Sequence, residues 1–312
     1  MAELKDDDLW MYRDEGSDKQ IRPATDFTVE VLDYFMHGES ITGVKTPFSE
    51  LDGKFRLRKE EVTLLGGING SGKSLLAGQC LLWAMHQGEK CLSVSLEMSP
   101  KAQLARMWRQ ASLEMTPTLD YGMGFSVWAG RKLWFYDQQG SVDVDTLLAV
   151  LRYSVDTNDT RFIVIDSLMT ISGIRHDDYS AQKEIINVLA NAARDLECHI
   201  LLVVHARKGM NIKERIDKFS IRGASEIVDR ADNLLLLHRM YEKMDKRSAG
   251  EDVSSMPDAT LTVAKARHFD QAECRLDLFL DAASMQYYIM GHHPFKVPID
   301  FEESAYIPGE SG

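Results

Sequence analysis

Residues 66–74 read GGINGSGKS, set between the apolar run VTLLGG and a run of helical character, LLAGQCLLWAMHQ. Few stretches limit a fold so tightly. Gly67, Gly72, Lys73 and Ser74 fit G-x-x-x-x-G-K-[ST], and a strand, loop and helix in that order is the context in which such spacing holds phosphate. The glycines let the backbone curl so that its N–H groups face an anion, the Lys73 ammonium adds charge near the β- and γ-phosphates, and the Ser74 hydroxyl can ligate Mg²⁺. The nucleotide-binding set read from the loop is Gly67, Asn69, Gly70, Ser71, Gly72, Lys73, Ser74 and Leu75, and the implied ligands are ATP and Mg²⁺.

Downstream, strand-like and helix-like runs alternate. EVTLLGG, KCLSVSLE, KLWFYDQ, RFIVIDS and HILLVVHA read as strands, separated by KSLLAGQCLLWAMHQG, SPKAQLARMWRQASL, VDTLLAVLRYSVDT and SAQKEIINVLANAARDLEC as helices. That order predicts an α/β fold with a mostly parallel sheet and helices on both faces. DNLLLLHRM, ATLTVAKAR, CRLDLFLD and SMQYYIM then follow one another, which predicts antiparallel strands at the C-terminal end with no helix between them.

Two carboxylates narrow the chemistry. Asp166 ends the strand FIVID, at the carboxyl edge of the sheet where it can share the metal with Ser74. Glu97 ends the strand after the phosphate-loop helix and can activate a water for γ-phosphate cleavage. The alternative is an N-cap or first-turn acid for the helix SPKAQLARMWRQ, a task that Ser99 could serve equally well.

The formal charge of −12 in 312 residues excludes a generally basic nucleic-acid coat, so any nucleic-acid site must be local. The richest positive stretch is ARKGMNIKERIDKFSIR, residues 206–222, with six bases and two acids. As a loop leaving the catalytic edge it could carry Arg207, Lys208, Lys213, Arg215, Lys218 and Arg222 to a DNA backbone, or it could be an ordinary solvated loop. A single aromatic, Phe219, lies among these bases, so readout should be insensitive to sequence. Four scattered cysteines indicate neither a disulfide framework nor a zinc site. The acidic start lacks a secretory n-region and no apolar run reaches spanning length, so a cytoplasmic protein away from membranes is expected.

GINGSGKS, SLEMSPKAQLARM, FIVIDS, LLVVHARKG, IRGASEIVDRADNLLLL and VAKAR stand in the order and approximate spacing of RecA-like replicative helicases of the DnaB type. The chain resembles their phage and mitochondrial branch over about residues 40–290. The resemblance implies a ring, usually of six subunits, with ATP between neighbours and single-stranded DNA in the channel. It also makes a loader, a primase or a polymerase a candidate partner.

Carried over residue by residue, it implies Glu97 as the water-activating acid and His205 as the γ-phosphate sensor. Lys265 and Arg267 are the pair that reaches a neighbour's nucleotide, and Arg239 with Phe279 flank the adenine. On spacing alone, Lys265 and Arg267 alternate on a strand and read equally well as a solvated edge. The chain departs from the family at Asp229, where relatives carry Gln, and in HFDQAE, where they have a Gly-containing turn.

The expected organisation is an acidic arm over residues 1–20, with seven acids and three bases, and a linker over 21–45 bearing a short amphipathic helix. That helix either packs on its own domain or docks on a neighbour. An ATPase motor over 46–290 and a tail over 291–312 complete the chain. The function expected is an ATP-dependent replicative DNA helicase. A recombination or repair ATPase that forms filaments on single-stranded DNA, and an ATP-switched assembly module, are the rivals.

Overall fold

A computed structural model describes residues 23–37, 42–171, 179–206, 216–217, 220, 224–268 and 274–299. It divides into two units, residues 1–42 and 43–312. The first contains helix α1 (Thr28–His37), whose Val29, Val31, Leu32, Phe35 and Met36 side chains are all exposed.

The second unit is built on a nine-stranded sheet in the order β3-β2-β4-β5-β1-β6-β7-β8-β9. The strands are β1 (Val62–Gly67), β2 (Cys91–Ser95), β3 (Leu133–Tyr136), β4 (Phe162–Asp166), β5 (His199–His205), β6 (Asn233–Arg239), β7 (Ala259–Ala266), β8 (Cys274–Asp281) and β9 (Gln286–Ile289). β3 to β6 in that spatial order pair in parallel, and β6 to β9 pair antiparallel. The expected α/β fold with an antiparallel end is therefore the observed one.

The helices are α2 (Lys73–His86), α3 (Pro100–Ser112), α4 (Leu119–Ala129), α5 (Val144–Asn158), α6 (Tyr179–Asp195), α7 (Ala224–Arg230) and α8 (Tyr241–Ser248). Alternate side chains of each central strand feed opposite cores. Leu65, Val164, Val203 and Leu235 join Leu76, Met85, Met107 and Phe125 of α2, α3 and α4 on one face. Leu64, Ile163, Leu202 and Leu234 join Leu147, Leu151, Ile186, Leu189 and Ile227 of α5, α6 and α7 on the other. Continuous apolar strands buried on both sides are what a parallel sheet requires.

Two helices depart from the sequence pattern. α8 lies between β6 and β7, where none was expected; its residues YEKMDKRS are almost all polar and give no apolar stripe, although Lys243 pairs with Asp258 at 2.7 Å. α4 carries Gly122 and Gly124, poor helix formers. Gly122 is needed there because a Cβ at this position would overlap the Trp108 ring of α3.

Candidate functional site

The carboxyl ends of β2, β4, β5 and β1 lie side by side and bring the predicted residues together. His205 is in register with Gly67, and Asp166 with Ser95 two residues before Glu97. Ligands of open α/β sheets bind at this edge, outside the strands' carboxyl ends.

The loop from Gly67 to Gly72 is a cradle whose two end glycines admit no side chain. A Cβ on Gly67 would lie 2.6 Å from the Leu237 carbonyl and from Ser71 Oγ, and one on Gly72 would overlap the Tyr287 hydroxyl. Gly72 sits at φ 96°, a left-handed conformation that favours glycine. α3, α4 and α5 are capped by Ser99, Thr118 and Asp143, whereas α2 starts from Gly72 with no side chain on its first N–H groups. Those donors are left for an anion. β9 supports the cradle from behind: Tyr287 Oη donates to the Ser71 carbonyl at 3.2 Å, and Gln79 of α2 clasps the Tyr287 backbone at 2.8 and 2.9 Å.

Lys73 is buried, and its Nζ donates to the Gly67 and Ile68 carbonyls at 2.9 Å each. Burial pulls its pKa down to about 8, against the opposing pull of Asp166 and Glu97. Asp166 is shifted the other way: burial raises it, while the Ser74 hydroxyl, Lys73 and Arg106 favour its charged form. Arg106 of α3 shares a small cavity with Ser74, Ser95 and Asp166, and no sequence pattern singles it out.

Among the described residues no group of three or more His, Cys, Asp or Glu could hold a metal by itself. The hydrogen-bonded Ser74–Asp166 pair offers two hard oxygen ligands. That set suits Mg²⁺, which keeps several waters and completes its shell with substrate phosphates.

Glu97 is exposed at the mouth of the site. Ser99 caps α3, with Ala102 N–H donating to its Oγ at 3.4 Å, so Glu97 is not used for capping. Instead the Ser167 hydroxyl donates to Glu97 Oε1 at 3.4 Å and lies 3.3 Å from His205 Nε2. Ser167 is fully buried between the two residues predicted as base and sensor. Nothing in the sequence beyond its place after Asp166 marks it, because the link exists only once β2, β4 and β5 are adjacent.

Arg239 and Phe279 also lie toward this edge. Arg239 Nη1 donates to the Gly70 carbonyl at 3.2 Å. Phe279 is buried, with Lys243 Nζ 5.5 Å above its ring and Tyr288 at 5.9 Å.

Lys265 and Arg267 lie elsewhere. β7 runs antiparallel to β6, so Ala266 is opposite Asn233 at the amino edge of the parallel strands. The six residues of β1 separate that edge from the phosphate loop by about 17 Å. Lys265 Nζ donates to the carbonyls of Val228, Asp229 and Ala231 at the end of α7, at 2.8, 3.1 and 2.8 Å. Arg267 pairs with the buried Asp232 at 2.7 Å. Arg207, Lys208, Lys213, Arg215, Lys218 and Arg222, the predicted DNA-contacting set, lie outside the described residues.

A phosphate cradle opening α2, a Ser–Asp oxygen pair and a carboxylate at one edge of this strand order define a RecA-like P-loop NTPase. The chain belongs to the AAA domain family, whose model matches residues 40–211. The fold is shared with a DnaB-like replicative helicase solved in a study of its interactions with primase: TM-score 0.67, 19% identity, over 86% of this chain and 67% of that one. It is shared also with a second solved structure, an ATPase domain, at TM-score 0.70 and 18% identity over 86% of this chain and 100% of that one. The circadian clock protein KaiC3 of Synechocystis is 24% identical over 199 residues, 59% of this chain and 35% of that protein. The chain thus spans about a third of the length of this curated relative.

Proposed function

We propose that the protein is an ATP-hydrolysing motor that assembles into a ring, moves on single-stranded DNA and unwinds duplex. The observation that carries this reading is the meeting of Lys73, the Ser74–Asp166 pair and the Glu97–Ser167–His205 chain at one sheet edge. Lys73 would exchange its two carbonyl partners for phosphate oxygens and supply charge where it develops during cleavage. Ser74 and Asp166 would hold Mg²⁺, which when bound neutralises phosphate charge. Glu97 takes the proton of the attacking water, and Ser167 fixes its distance from His205, so that phosphate sensing and water activation move together.

In this reading Arg267 serves the nucleotide of the next subunit, since about 17 Å of sheet lie between it and its own phosphate loop. α1, with its apolar residues exposed, then needs a covering surface, and a second copy is the one a ring provides. Residues 206–222 are the proposed DNA-contacting segment, and a primase or loader is the proposed protein partner.

The alternative is an ATP-switched assembly whose turnover does not depend on DNA; a circadian clock protein among the similar proteins keeps a reading outside the helicases open. ATPase rate measured with and without single-stranded DNA, with particle mass recorded in the same Mg²⁺ buffer, separates the two. Stimulation in ring-sized particles supports the motor. A DNA-independent rate in an assembled particle supports the switch.

A further inference from the structure

Two cations at the amino edge differ in how completely they are engaged. An ammonium has three N–H donors, and Lys265 directs its Nζ at three carbonyls of one helix end. To reach outward it would have to abandon the cap of α7. Arg267 has five donors in a rigid fork. Its ion pair with Asp232 is made through Nη1, and its side chain remains 41% exposed at the rim of a cleft of about 410 Å³. Lys183, Arg194 and Arg230 share that rim against one acid, Asp229, so the cleft favours an anion.

Asp232 is built to hold this arginine still. Its side chain is 3% exposed, and each of its polar groups is engaged. The N–H donates to the Val62 carbonyl at 3.0 Å, and Oδ2 accepts from Val62 N–H at 2.9 Å. The carbonyl accepts from Arg267 N–H at 3.1 Å, and Oδ1 takes the guanidinium. Asp232 is therefore anchored to the first residue of β1 and grips Arg267 by both backbone and side chain. A second acid, Glu61, lies 3.6 Å from the next residue, His268, and ties the same turn to the strand before it.

We propose that Asp232 is the positioning residue of Arg267: it presents the guanidinium to an incoming phosphate with one face committed and, among the described residues, the rest of the fork open. This rests on the reading of Arg267 as acting on a neighbour's nucleotide. An arginine tethered by a buried carboxylate has less rotamer freedom to lose when it engages phosphate, and the gain is felt in kcat.

The test is a double-mutant cycle on the full chain: Asp232→Asn, Arg267→Ala and both together, with kcat, KM for ATP and nucleotide affinity measured, and single-turnover assays for slow variants. Asn can keep its amide oxygen as the acceptor for Val62 N–H while its NH2 faces Arg267, so the charge and the acceptor that hold the guanidinium are both removed. The expected result is a fall in kcat of about tenfold for Asp232→Asn with KM unchanged, and no further fall when it is added to Arg267→Ala. An equal fall in both backgrounds, or none in either, overturns the proposal. If Arg267→Ala leaves kcat unchanged, the failure is that of the trans-acting reading instead. Asp232→Glu, which keeps the charge but moves it outward, reads the same coupling if the Asn variant does not fold.

Discussion

The two ends of the parallel strands treat their charges differently. At the carboxyl edge Lys73 donates to two carbonyls of its own loop, and the carboxylates Asp166 and Glu97 are met by the hydroxyls of Ser74 and Ser167. At the amino edge two cations have partners of their own: Lys265 a helix end, Arg267 the buried Asp232. Among the described residues the first edge has a cradle of backbone donors and the second has none. On the reading proposed above, the first edge holds a triphosphate and the second is presented to a neighbour's.

That difference is breakable, and the largest effect is expected at the cradle. Lys73→Ala removes the buried charge aimed along the phosphate loop, so ATP hydrolysis should fall by about 10³-fold or more, with nucleotide affinity falling as well. Equilibrium binding of a fluorescent ATP analogue alongside turnover checks both. Retention of normal turnover would mean that the loop is not the nucleotide site.

Glu97→Gln should separate binding from chemistry. Loss of a general base costs about 10²–10⁴-fold in rate, and Gln can still accept the Ser167 hydroxyl, so nucleotide affinity should stay within about twofold of wild type. An equal loss of affinity would make Glu97 a ligand rather than a base.

The smallest expected effect is a pH dependence at the amino edge. Burial raises Glu61 to about 7, with Asn233 and Arg58 pulling it down and Asp232 pushing it up. A carboxyl whose folded pKa exceeds its unfolded value of 4.5 binds more protons folded than unfolded between those limits. Its contribution to stability is therefore full below about 4.5 and is lost as pH rises through about 7. His199 acts in the opposite sense: burial lowers it to about 4, so its stabilising contribution is lost as pH falls. Glu61→Gln isolates the first effect. Between pH 5 and 7 the wild type should lose up to about 1.4 kcal/mol per pH unit relative to the variant, the slope of one proton. Parallel denaturation midpoints across that range would show that Glu61 does not set the pH response of this edge.

Much of this is legible in the sequence because much of it is local or periodic. The nine strands of the described sheet follow from apolar or alternating runs, and the cradle follows from glycine spacing and Lys73-Ser74. α4 is hidden by two glycines, one of which makes room for Trp108, a purpose visible only in three dimensions. Ser167 and Arg106 carry no pattern of their own; they matter because β4 lies beside β2 and α3 folds over the Ser74–Asp166 pair. In sequence Asp232 is one letter of DRADNLLLL, a strand entry, and its grip on Arg267 depends on the register of β6 against β7. The resemblance groups Lys265 with Arg267, yet in this chain their partners differ, one at a helix end and one at a cleft.

The central claim is that the carboxyl edge of one subunit is completed by the amino edge of the next. Mixing Glu97→Gln subunits with Arg267→Ala subunits tests it directly, because each variant is inactive for a reason the other can supply. Mixed particles, verified by mass, are predicted to recover part of the ATPase activity through interfaces that pair an intact Glu97 with an intact Arg267. No recovery in such verified mixtures, with both variants folded and binding nucleotide, would contradict it.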